Sequence, residues 1–137
     1  MKPVLPFLLT LLLTPLFAQE VTIHDFVKTV DNNREELIYY YENNWKVFRE
    51  IALERGFIES YELMITEADS LADFDVILIT KYEDEEAYDK GEERFQTIIR
   101  DVIGDGTPKL LNNLKPSEFR RSVFHKISHT FFSSSKQ

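Results

Sequence analysis

Cysteine is absent from this 137-residue chain. That excludes disulfides, a thiol nucleophile, a thiolate metal site and lipid attachment through a cysteine at a leader cleavage site. Glycine is scarce, with 4 residues, and none falls in a phosphate-cradling segment. No serine stands in a nucleophile elbow, and no HExxH zinc signature is present. Positive charge is in deficit: 16 Lys and Arg against 24 Asp and Glu give a formal net charge of −8. Such a surface repels nucleic acid and anionic membranes, so neither is an expected partner, and its plainest consequence is solubility. No linker rich in Pro, Gly or Ser divides the chain, and one domain is expected.

What is present begins with a leader pattern. Lys2 supplies a positive start, Val4 to Leu13 are apolar apart from Pro6 and Thr10, and Pro15 precedes a small-residue exit at Ala18. This is the pattern of a secretory signal peptide. The apolar run is too short to span a bilayer, and Pro6 and Pro15 interrupt a spanning helix. The expected organisation is a signal peptide over residues 1–18, a folded domain over 19–132 and a disordered polar tail over 133–137. It makes the protein periplasmic or extracellular, with no stable membrane insertion after cleavage. The mature chain then starts at Gln19, a residue able to cyclise.

Val21 to Val30 alternates, with Val21, Ile23 and Val27 on one face and His24, Phe26 and Lys28 on the other, the period of a half-buried strand. Asp31-Asn32-Asn33 ends it, and Asn33 with Glu36 has the spacing of a capping box. From about Arg34 to Arg55, Leu37, Ile38, Tyr41, Trp45, Phe48, Ile51 and Ala52 form the apolar stripe of one helix. Glu35, Glu42, Lys46, Arg49, Glu50 and Glu54 take its other faces, and Gly56 supplies a left-handed stop. Phe57 to Thr66 and Phe74 to Tyr82 read as strands. The second has few charges and many β-branched residues, as a central strand covered on both faces requires.

Asp84 opens a second helix with acids in its first turn and a buried stripe of Tyr88, Gly91, Phe95, Ile98 and Val102. Glycine at a stripe position costs about 1 kcal/mol relative to alanine, and a close approach of helix to sheet would account for it. Gly104 closes that helix. Thr107-Pro108 opens a short helix through about Asn113, and Pro116 blocks its continuation. The apolar spacing of Arg121 to Phe132 fits a strand or a helix; its β-branched and aromatic content favours a strand. The order is strand–helix–strand–strand–helix–strand. The expected fold class is α+β, a ferredoxin-like βαββαβ unit with a four-stranded antiparallel sheet.

The three histidines are the side chains suited to proton or metal chemistry near neutral pH. His125 and His129 have HxxxH spacing, which on a helix would place both rings on one face. On a strand they stand about 13 Å apart, too far to share one ion, so no metal is expected. His24 lies on the first strand, next to the last strand in this topology, and could share a pocket with His125 or His129. Tyr41 and Trp45 belong to the first helix's stripe and read either as core or as the aromatic wall of a cleft. The acids from Glu83 to Glu93 lack the ligand spacing of a calcium loop and suit a solvated helix start. No cofactor-binding motif is present.

The segments YYYENNWKVFREIALERG, FIESYELMI and FDVILITKYEDEEAYDK together resemble the dimeric α/β-barrel superfamily of ferredoxin-like proteins. That group includes NIPSNAP-like, EthD-like and antibiotic-biosynthesis-monooxygenase-like families. The resemblance covers about Val21 to Val102. It implies a homodimer whose two sheets face each other in a barrel, with a pocket in each subunit between sheet and helices. Members with known roles oxidise aromatic compounds without a cofactor, bind or degrade haem, or bind small apolar molecules. Two functions follow as expectations: an exported binding protein for a small apolar or aromatic ligand, or a cofactor-independent oxygenase-like or haem-handling enzyme with a pocket histidine. The candidate pocket residues are His24, Phe26, Tyr41, Trp45, Tyr61, His125 and His129.

Overall fold

The structure, a computed structural model, describes residues 19–67 and 73–134. The expected leader, residues 68–72 of the connection between the second and third strands, and residues 135–137 of the tail lie outside the described residues. The elements are β1 (Val21–Thr29), α1 (Arg34–Tyr40), a π-helical turn (Tyr41–Trp45), α2 (Lys46–Glu54), β2 (Ser60–Ile65), β3 (Val76–Tyr82), α3 (Glu85–Asp89), α4 (Gly91–Ile103), α5 (Pro116–Phe119) and β4 (Arg120–His129). The four strands form one antiparallel sheet in the order β2-β3-β1-β4. This is the ferredoxin-like α+β arrangement, and the ambiguous C-terminal segment is extended. Among the described residues no helix is long and apolar enough to cross a membrane.

Alternation assigns the two faces of the sheet. Val21 and Val27 of β1 and Val76, Leu78, Thr80 and Tyr82 of β3 are buried on the face that the helices cover. They pack with Leu37, Tyr41 and Phe119 at one end and with Ala52, Phe95 and Ile98 at the other. Gly91 opens α4 against Tyr82: a Cβ there would stand 2.9 Å from the Tyr82 Oη. The missing side chain is thus the price of a close helix–sheet approach. The opposite face carries Phe26, Ile77, Ile79, Met64 and Phe124, placed by the strand registers. Phe26 stacks on Phe124 at 4.4 Å and meets Phe74 edge-on at 4.8 Å. Phe124 and Met64 are exposed at 44% and 48%, so β3 is covered on one face by its own chain and half open on the other.

Several local expectations need correction. The first helix is interrupted: Lys46 N–H bonds five residues back to Tyr41 O, while Asn43 and Asn44 side chains donate to the Tyr39 and Tyr40 carbonyls at 2.9 Å. Asn33 makes no capping bond; its side chain instead donates to Glu118 O, and Glu36 accepts from Asn112. Val102 is exposed, and Ile99 rather than Val102 reaches inward from the last turns of α4. No helix forms over 107–113. Asn44, buried at 3% exposure, clamps Lys109 through both backbone groups, and Asn112 and Asn113 take left-handed conformations at φ 54° and 57°. Pro116 does not stop a helix but begins α5, where its fixed φ suits the first position.

Candidate ligand cleft between the helices and the sheet

Two adjoining clefts open between the helices and the covered face of the sheet, and they share Arg49 and Ile99. The inner one, of about 330 Å³, is walled by Tyr40, Tyr41, Trp45 and Phe48 and holds Asp25, Arg49 and Arg120. The outer one, of about 480 Å³, lies between Ile23, Tyr82, Tyr88, Phe95 and His125. A third groove, of about 310 Å³, runs along β2 between Trp45, Tyr61, Leu63 and Ile38.

Each polar residue reaches the inner cleft for a local reason. Asp25 lies between Ile23 and Val27 on the covered face, directly opposite His125 in the β1–β4 register. Its carboxyl is held above the ordinary aspartate range by burial, against the lowering fields of Arg49, His125, Arg120 and His24. Arg49 follows Trp45 by one turn, and the wider π-turn rotates α2 so that this side chain lies over the sheet rather than in solvent. Arg49, expected off the apolar stripe, thus joins the cleft. Its Nε donates to Thr80 Oγ1 at 3.0 Å, and its guanidinium lies 3.9 Å from the Phe95 ring centre and 5.0 Å from that of Trp45. Burial pushes its pKa down to about 10, so it remains a cation at neutral pH.

Arg120 depends on a bulge. Phe26 pairs with Phe124 but Val27 pairs with Ser122, so Val123 is an extra residue on β4. A bulge of this kind reverses the alternation beyond it. It turns Arg120 to the helix face and Arg121 to the open face, where Arg121 pairs with Asp73 at 3.1 Å. Arg120 donates to Tyr41 Oη at 3.4 Å and lies over the Tyr40 and Tyr41 rings. Its Nε–H is buried without an acceptor among the described residues. Burial raises the Tyr41 phenol's pKa despite Arg120, and burial raises that of Tyr82.

The residues singled out from the sequence are divided between compartments. Tyr41 and Trp45 stand in the wall shared by the inner cleft and the β2 groove, and Trp45 meets Tyr61 edge-on at 5.7 Å. His125 lines the outer cleft. His24 and Phe26 lie on the open face, where His24 Nε2 is 2.9 Å from Ser128 Oγ, so His24 and His125 share no pocket. His129 pairs with Val21 at the exposed end of β4, outside the clefts described above. No group of three metal-ligating side chains gathers among the described residues. Sequence reasoning passed over Asp25, Arg49 and Arg120. A readable signal existed for Asp25, a charge at a core-facing strand position, and for Arg49, one turn after a tryptophan.

No protein-family model matches the chain, and no curated protein matches it in sequence. Solved structures do match. HapK from Hahella chejuensis is 12% identical with a TM-score of 0.52, covering 85% of this chain and 98% of its own. A candidate antibiotic biosynthesis monooxygenase from Bacillus cereus is 10% identical with a TM-score of 0.50, covering 88% and 98%. These likenesses agree with the ferredoxin-like α+β fold described above. A NIPSNAP-like domain protein from Burkholderia xenovorans also matches, at 14% identity, a TM-score of 0.48 and coverage of 88% and 90%. At these identities the likeness is one of fold.

Proposed function

We propose that this α/β-barrel chain is an exported, homodimeric binding protein for a small aromatic ligand held between helices and sheet. The observation that carries the reading is the inner cleft, where four aromatic side chains surround polar groups that the fold has desolvated. Its volume of about 330 Å³ suits a ligand of one or two rings. The homodimer reading is supported by the open sheet face: the Phe26–Phe74–Phe124 cluster, with Met64, Ile77 and Ile79 around it, is an apolar patch that a second copy's identical patch would cover. Export is supported by the leader pattern, and the secreted protein should begin at Gln19.

The test is calorimetric titration with 2-naphthamide, a neutral two-ring probe. Wild type should bind it saturably, and Trp45→Ala, with folding checked by circular dichroism, should weaken it by about tenfold. No saturable heat from wild type with 2-naphthamide or with its carboxylate counterpart, 2-naphthoate, would contradict the proposal. A second reading, an oxygenase-like or haem-handling enzyme, is favoured by His125 in the outer cleft beside Tyr82 and Tyr88. Oxygen uptake with quinol substrates, or a Soret shift on haem titration, abolished in His125→Ala would support it; silence in both assays would remove it.

A further inference from the structure

Arg49 and Arg120 reach the inner cleft from different elements, α2 and the start of β4. Neither takes part in an ion pair among the described residues, although the chain carries an excess of acids. The exposed arginines Arg55 and Arg121 are paired with Asp101 and Asp73, while Arg34 and Arg100, without an ion pair among the described residues, stand in solvent, where an unpaired charge costs little. A sheltered cation without a partner is expensive, and proteins retain one where function uses it. We propose that the ligand is an aromatic carboxylate whose anionic end is held by Arg49 and Arg120 while its ring lies against Tyr41 and Trp45. The inference rests on the aromatic-ligand reading above.

Three observations converge on this chemistry. Both guanidiniums already use their faces, Arg49 on Phe95 and Trp45, Arg120 on Tyr40 and Tyr41. Stacking of that kind leaves the in-plane N–H edge to bond, and that edge matches a planar carboxylate. Donors remain to be used: among the described residues, Thr80 is the only acceptor of Arg49 and Arg120 Nε–H is buried without one. The charge balance also selects a monoanion. Asp25 lies in the field of both arginines, so two positive charges and one negative leave the cleft one positive charge in excess.

The experiment compares 2-naphthoate with 2-naphthamide by titration calorimetry at neutral pH. The carboxylate should bind wild type about tenfold or more tightly than the amide. Arg120→Gln should bring the carboxylate-to-amide affinity ratio down to about one; Arg120→Lys, which keeps the charge but not the fork, should restore only part of it. Asp25→Asn should raise the carboxylate-to-amide affinity ratio, a change that a purely structural role would not produce. Equal affinity of wild type for the two probes overturns the inference and leaves the aromatic-ligand reading standing. Binding of neither overturns both.

Discussion

Asp25 is a carboxylate that the fold makes uncomfortable. Burial raises its pKa, and the groups that lower it, Arg49, His125, Arg120 and His24, only partly compensate. A carboxyl whose pKa is higher folded than unfolded favours folding while protonated. Its contribution is full below the ordinary aspartate range and lost as pH rises through the raised value. Asp25→Asn should therefore raise the melting temperature at neutral pH, and the gain should fade as pH drops through that window. A mutant less stable than wild type at pH 7 would show that the carboxylate is needed as a counter-charge. At this scale the sequence was partly legible. Asp25 breaks an apolar period-2 face and could have been picked out. Arg49 falls off the apolar stripe in the sequence because helical spacing alone does not reveal that a π-turn will rotate the following turns. Arg120 was invisible, because a single extra residue at Val123 decides which face it takes.

The π-turn is the element that shapes the cleft. Tyr41 and Trp45 are its two ends, and both stand in the cleft wall. Asn44 links it to the 107–115 loop, donating to Tyr40 O and Lys109 O and accepting from Lys109 N at 2.8–2.9 Å. Removing the Asn44 side chain leaves part-buried backbone groups that water can partly satisfy, so the combined cost is about that of one fully buried group, about 1–3 kcal/mol. Asn44→Ala should lower stability by about 1–3 kcal/mol in urea unfolding and loosen aromatic binding with it. A loss below about 0.5 kcal/mol would mean that the clamp is dispensable. Strands and helix stripes were readable here because burial imposes their periods: β1, β3 and β4 fall within a few residues of expectation. The loop after α4 was not, since its path is set by a side chain 65 residues away. The Asn33 cap failed for a similar reason, its side chain being taken by Glu118 O.

At the scale of the whole molecule, the sheet separates two apolar environments. The helix side holds the charged cleft; the open side holds Phe124 and Met64, both exposed, beside the partly buried Phe26, Ile77 and Ile79. The account assigns the first to a ligand and the second to a twin. Sedimentation equilibrium should accordingly give twice the chain mass, and Phe26→Lys with Phe124→Lys should give a monomer that keeps its circular dichroism. A monomeric wild type would contradict the pairing. The ferredoxin-like order was evident from the chain alone, because element order and hydrophobic period carry topology. The division of His24 from His125 was not, since it depends on which parity of each strand meets the helices. The most direct test of the account is a crystal structure of the protein with 2-naphthoate. It should show the ring against Tyr41 and Trp45 with the carboxylate between Arg49 and Arg120. A ring seated among Phe26, Phe74 and Phe124 on the open face, with the helix-side cleft empty, would contradict it.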